Sequence, residues 1–189
     1  MLVTWPVSIE PDVRGKLTRD GLHRLMKELA RTSPKGQSYR VFVVGGGTAV
    51  LSGWRASTID ADLYCDQEGV FGDIQGIKDR LQLNVEFVRP EDFVPALVGS
   101  ENRHIFIETV GNVTFCHYDP YAQLLSKVVR GFRRDLQDAQ SLLASGMVEA
   151  ERFRALVQQI PRAAYARYPS LSRQGVLDAV DDFLSGTKP

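Results

Sequence analysis

Two aspartates one residue apart, Asp60 and Asp62, lie in the segment Ser57-Thr58-Ile59-Asp60-Ala61-Asp62-Leu63-Tyr64, where polar and apolar side chains alternate. Such alternation belongs to a strand, whose side chains at i and i+2 point to one face. The spacing predicts Asp60 and Asp62 side by side, with Ile59, Ala61 and Leu63 turned into the core. Neighbouring carboxylates repel unless something positive lies between them, and a divalent cation with hard oxygen ligands is the natural partner. Mg²⁺ held by a carboxylate pair keeps positions open for water and for the phosphate oxygens of a substrate. An isolated Asp-x-Asp is more often a solvated pair on an exposed sheet face. The chemistry therefore rests on what stands beside it.

Ahead of the aspartates, Tyr39-Arg40-Val41-Phe42-Val43-Val44 reads as a buried strand that runs directly into Gly45-Gly46-Gly47, with Thr48 to Trp54 as a short helix. Glycines permit positive φ and let backbone approach a ligand closely. The first amides of the helix would offer themselves to an anion, and Thr48 would add a hydroxyl to a phosphate. Two rival glycine loops fail. A dinucleotide fingerprint needs Gly or Ala where Val50 stands, and a P-loop needs a closing Gly-Lys-Ser or Gly-Lys-Thr. A tight turn with no ligand stays open as the alternative.

Together, Gly46-Gly47-Thr48 and Asp60-x-Asp62, with Ser57-Thr58 just before the acids, resemble the polymerase β-like nucleotidyltransferase superfamily. The resemblance implies a third metal-binding carboxylate on a neighbouring strand. Glu86, in Leu83-Asn84-Val85-Glu86-Phe87-Val88, is the best candidate and shares a strand face with Asn84 and Val88. Further on, Leu124-Leu125-Ser126-Lys127 followed by Arg134-Asp135-Leu136-Gln137-Asp138 is similar to a helical motif of abortive-infection-type nucleotidyltransferase toxins of bacterial toxin–antitoxin pairs. That likeness implies Lys127 as a ligand of nucleotide phosphates, Arg134 beside it, and Asp138 as an assisting carboxylate. Phe93-Val94-Pro95 and His117-Tyr118-Asp119-Pro120-Tyr121-Ala122-Gln123 resemble a largely uncharacterised bacterial branch of such proteins. Implied are one or two Mg²⁺ ions, a nucleoside triphosphate as substrate, and an acceptor that is an RNA end, a protein or a small molecule. An antitoxin partner is a further implication. The chain lacks the large C-terminal domain of the best-known toxins, which leaves their acceptor specificity open here.

These residues need a scaffold. Thr18 and Asp20 open a helical pattern with Leu22, Leu25, Met26 and Leu29 on one face, ended by Ser33-Pro34-Lys35-Gly36. Residues 1–17 read as an irregular lead-in. Phe71 to Leu81 looks helical, and 103–110 pairs with 113–117 as a hairpin across Gly111-Asn112. Helices are expected near 120–144, 149–161 and 172–185, with breaks at Gly146 and Tyr168-Pro169-Ser170. Treated as one helix, 120–144 sets Arg134 and Asp138 within roughly 20° of Lys127. Leu125, Val128, Phe132, Leu136, Ala139 and Leu143 then form a separate apolar face. Its plain alternative is a solvated charged face with an Arg134–Asp138 pair. The expected architecture is α/β (α+β): a small mixed-sheet core over 1–118, flanked by helices, and a helical part over 119–189 packed on it.

Composition excludes several classes. With 43% hydrophobic and 24% charged residues in 189, the chain can bury a real core. Lys plus Arg equal Asp plus Glu at 23 each, so no global positive field advertises nucleic-acid binding. Cys65 and Cys116 are too few for a disulfide framework and read as reduced thiols; strand parity points Cys65 into the core. His23, His104 and His117 show no metal-ligand spacing, and Trp54 and Tyr64 read as packing residues. Neither a signal peptide nor a run of about 20 apolar residues is present, so a cytoplasmic location without membrane contact is expected. Two other classes compete with the enzyme: a nucleotide-binding module without turnover, and an interaction protein whose basic helix docks a partner.

Overall fold

The computed structural model describes residues 15–186. A two-residue strand, β1 (Leu17–Thr18), leads into helix α1 (Arg19–Thr32), capped by the Thr18 hydroxyl accepting from the Gly21 amide at 3.3 Å. Leu22, Leu25, Met26 and Leu29 are all buried, as their spacing demands. Of the predicted lead-in, 1–14 lies outside the described residues, and Leu17 proves to be part of a strand.

Five strands form the main sheet: β2 (Tyr39–Val44), β4 (Asp60–Tyr64), β5 (Asn84–Phe87), β6 (Ile105–Val110) and β7 (Val113–His117), in the order β5-β4-β2-β7-β6. The sheet is mixed. β2 runs antiparallel to β4 and parallel to β7, β4 runs parallel to β5, and β6 and β7 form the expected antiparallel hairpin. A separate short strand, β3 (Ser57–Thr58), pairs with β1. Helix α2 (Gly45–Leu51) follows β2 without a loop, and α3 (Ile74–Leu81) precedes β5. The helix expected over 71–81 is thus shorter, because a 3-10 turn (Glu68–Phe71) comes first.

The largest departure lies after β7. The helix expected over 120–144 is two helices, α4 (Pro120–Arg130) and α5 (Arg133–Ala144), divided where Gly131 takes φ of +68° and closes the first by a left-handed cap. A glycine inside a periodic pattern is where such a cap costs least. Phe132, assigned to the apolar face of a single helix, is instead exposed at the corner. Helices α6 (Ala150–Gln158) and α7 (Arg173–Gly186) complete the chain, with a 3-10 turn (Arg162–Arg167) between them.

Among the described residues two large apolar cores result, besides a smaller cluster of Phe42, Val44, Cys116, Tyr118 and Ala122. One lies between the sheet, α1 and α3, around Leu25, Val41, Leu63, Ile77 and Phe115. The other is built by α4 to α7 around Leu124, Leu125, Leu142, Phe153 and Val180, with Val94 and Leu97. No helix among the described residues is long and apolar enough to cross a membrane.

Candidate active site

The β4 pattern places Ala61 and Leu63 in the core and leaves Asp60 and Asp62 on the other face. Ile59 departs from the prediction. It lies between β3 and β4, outside the ladder, and is 59% exposed. In the parallel β4–β5 ladder Asp62 is level with Glu86, so these side chains leave the same face on adjacent strands. Asp60, Asp62 and Glu86 line one end of a cavity of about 260 Å³. Burial raises the Asp62 carboxyl to about 6, with the nearby charges of Glu86 and Asp60 adding to it. Acids that press on one another in this way suit a divalent cation. Among the described residues no group of three or more Cys, His, Asp or Glu side chains is placed to hold a metal ion by itself. An open acidic end is what Mg²⁺ needs where substrate oxygens and water complete its shell.

The glycine run plays a different part from the one predicted. It forms the first turn of α2 rather than a loop before it. A Cβ at Gly45, whose φ is +55°, would collide with the Asp62 carboxylate, and one at Gly46 would strike the Thr58 hydroxyl. The amides are also committed: Gly45 N–H donates to Gln123 Oε1 at 2.9 Å, and Gly46 N–H to Asp62. The glycines thus give clearance and orientation to Asp62, and Gly45 and Gly46 line the cavity. Gly47 does not line it and packs against Val43 and Leu22. Thr48 is also set apart, because α2 turns its side chain into the protein. Its hydroxyl is buried, donates to Val43 O at 3.1 Å, and therefore accepts from His117 Nδ1 at 3.2 Å. Burial pushes His117 down to about 4, so the ring is neutral at neutral pH.

Across the cavity from the acids stands α4. Lys127 is only 7% exposed, and its ammonium lies 2.7 Å from Asp138 Oδ2 and 3.5 Å from Asp135 Oδ1, both on α5. The break at Gly131 makes this possible: α5 packs against α4 and brings its acids to the lysine, where a single helix would have set the groups along one stripe. Lys127 also bears electrostatically on Asp62, which it holds down against the push of the other acids. Arg55 reaches Asp138 Oδ1 at 3.4 Å, and Arg130 forms two hydrogen bonds of 3.0 Å to Asp135. Arg134 lines the cavity and has no ion pair among the described residues, so the local Arg134–Asp138 pair is not formed.

Of the residues singled out from sequence, seven line one cavity, namely Gly46, Asp60, Asp62, Glu86, Lys127, Arg134 and Asp138, while Gly47 and Thr48 do not. Sequence reasoning missed Arg55, Asp135, Arg130 and Gln123 as contributors. Gln123 stands one helical turn before Lys127, buried, with its amide donating to Tyr118 O at 2.9 Å while its carbonyl takes the Gly45 amide. The signal was the i, i+4 spacing of Gln123 and Lys127 on an otherwise apolar helix. Asp119 is a different case: wholly buried, it caps α4 through the Tyr121 amide and holds Arg103 in a bidentate pair, which is structural. His23 pairs with Glu108 at 2.7 Å, His104 lies against Phe42 and Tyr118, and both cysteines are free and buried.

A family model described as a nucleotidyltransferase of unknown function (DUF6036) matches residues 20–178, which takes in every residue of this cavity. No curated protein and no solved structure matches the chain.

Proposed function

The chain belongs to that nucleotidyltransferase family, and from this premise we propose that it moves a nucleotidyl group from a nucleoside triphosphate to an acceptor in a metal-dependent reaction. One observation carries the reading. Three carboxylates on two adjacent strands face, across a single cavity, a buried lysine held in place by a second set of acids. The resemblance to the polymerase β-like superfamily rests on the same residues.

Asp60, Asp62 and Glu86 would hold one or two Mg²⁺ ions. Bound there, Mg²⁺ would polarise phosphoryl oxygens and stabilise the attacking and leaving oxygens. The oxygen of an acceptor hydroxyl attacks the α-phosphorus, the bond to the β-phosphate oxygen breaks, and pyrophosphate leaves. The hydroxyl proton passes to a carboxylate at the acidic end. Lys127 and Arg134 neutralise charge on the departing pyrophosphate. Asp138 and Asp135 fix the Lys127 ammonium before substrate arrives, so little reorganisation is left for the reaction itself.

Labelled triphosphates incubated with the protein, Mg²⁺ and total cellular RNA or protein test this directly. Transfer of label is expected, with loss of at least about a thousandfold in Asp60→Ala and in Asp62→Ala and no loss of fold by circular dichroism. Omitting Mg²⁺ should have the same effect. Survival of transfer in both variants overturns the mechanism, and binding without transfer identifies a module that has lost turnover. The acceptor, an RNA end, a protein or a small molecule, is read from where the label goes. A place in a toxin–antitoxin pair follows from the abortive-infection likeness and is tested by growth arrest on expression and its relief by a neighbouring gene.

A further inference from the structure

The proposed chemistry uses the phosphates and leaves the nucleobase without a place. The cavity also has apolar lining, which includes Val88, Pro90 and Phe93. Phe93 is the one aromatic ring among the residues lining it, and it is 42% exposed although its chain neighbour Val94 is buried in the helical core. An aromatic side chain left half in water at the wall of a polar cavity gains apolar burial when a ligand covers it, and a flat ring covers most of its face.

The ring is held firmly. It follows a 3-10 turn (Pro90–Asp92) closed by the Asp92 carboxylate accepting from the Arg89 amide at 2.9 Å and by the Phe93 amide donating to Pro90 O at 3.0 Å. The middle residue of that turn, Glu91, is tied twice, to the Tyr118 hydroxyl at 2.9 Å and through its carbonyl to the Tyr168 hydroxyl at 2.7 Å. Arg130 lies over the ring with its guanidinium carbon 5.3 Å from the centroid, and Asp135 fixes that guanidinium in turn. One face of the ring is therefore covered by a cation anchored by the same acid that steadies Lys127, which leaves the opposite face for a ligand.

We propose that Phe93 is the stacking platform for the nucleobase of the triphosphate, with Arg130 fastening the ring. This rests on the nucleotidyltransferase reading of the cavity and assigns its apolar lining. Stacking on a phenyl ring reads no hydrogen-bond pattern, so the site discriminates by stacking area, purines over pyrimidines.

Binding of α,β-methylene nucleoside triphosphates and of inorganic triphosphate, each with Mg²⁺, is measured by calorimetry on the wild type, Phe93→Ala and Phe93→Trp. Expected is a loss of roughly tenfold or more for the purine analogue in Phe93→Ala, a smaller loss for the pyrimidine analogue, and full affinity in Phe93→Trp. Inorganic triphosphate should bind all three proteins equally, because it has no base to stack. Equal losses for inorganic triphosphate and for the nucleotides, or none for any ligand, overturn the assignment while the phosphate site stands. Failure of the wild type to bind any triphosphate overturns both.

Discussion

Asp62 carries a contradiction that its neighbours create. It is buried and crowded by Glu86 and Asp60, so its proton leaves only at about pH 6, although the Gly46 amide and Lys127 favour the charged form. In the folded chain without metal it is protonated before an unfolded aspartate would be, at the ordinary 3.8. Its effect on stability is therefore unfavourable at neutral pH and is relieved as pH falls from about 6 toward 4, by about 3 kcal/mol. Mg²⁺ should lower the Asp62 pKa, and Glu86→Gln should lower it in the metal-free protein; carbon-detected NMR titration of the side chain reads both. An Asp62 pKa unmoved by Mg²⁺ would sink the metal assignment. His117 acts in the opposite sense. Its folded value of about 4 lies below the free value of 6.5, so the unfolded chain takes up the proton first and stability is lost as pH falls through that window. The loss is about 3 kcal/mol. Thermal melts at pH 7 and pH 4.5 should show His117→Gln holding its stability where the wild type loses some, and Asp62→Asn losing more than the wild type.

At the scale of elements, the site depends on two joints. The first is the β2–α2 junction, where no loop intervenes and the strand's last residue, Val44, is level with Asp62. Gly45→Ala would place a side chain in left-handed backbone, costing about 1 kcal/mol, and against the Asp62 carboxylate. Transfer should fall far more than stability does, which a comparison of kcat with the urea midpoint checks. The second joint is the α4–α5 corner at Gly131. There Lys127 stands between Asp138 and Asp135 with little solvent around it. Removing one partner of a buried pair leaves uncompensated charge, so Lys127→Met should cost about 3 kcal/mol in urea unfolding. The double variant Lys127→Met, Asp138→Leu should regain much of that stability and none of the transfer. Recovery of both would make the pair structural only.

Across the whole molecule, the cavity lies between the helices α4 and α5 and the sheet face opposite the sheet core, and each side contributes one wall. The strands bring acids; α4 and α5 bring the cations with their anchoring acids. The helices α6 and α7 contribute no residue to the cavity lining, yet Phe153, Val157, Val176, Val180 and Leu184 complete the core on which α4 rests. A chain cut after residue 145 would uncover Leu124, Leu125 and Leu142, and should lose the near-ultraviolet signal of packed aromatics and most soluble yield. Retention of a native-like spectrum and of triphosphate binding would show that the helical core does not brace the site.

Local chemistry was legible without coordinates wherever one element sufficed. The parity of β4 put Asp60 and Asp62 together, the parity of β5 put Glu86 on the matching face, and the heptad-like spacing of α1 named its core. Such periodicities are properties of the backbone, so they survive whatever the element later packs against. What remained hidden involved two elements meeting. That the glycines clear space for Asp62, that Thr48 turns inward to His117, and that Lys127 meets Asp138 across a corner are consequences of tertiary packing. The sequence therefore determined which residues could do chemistry and on which face each would lie. Only the fold decided which faces share a cavity and which polar groups are already spent, because those partners come from distant parts of the chain.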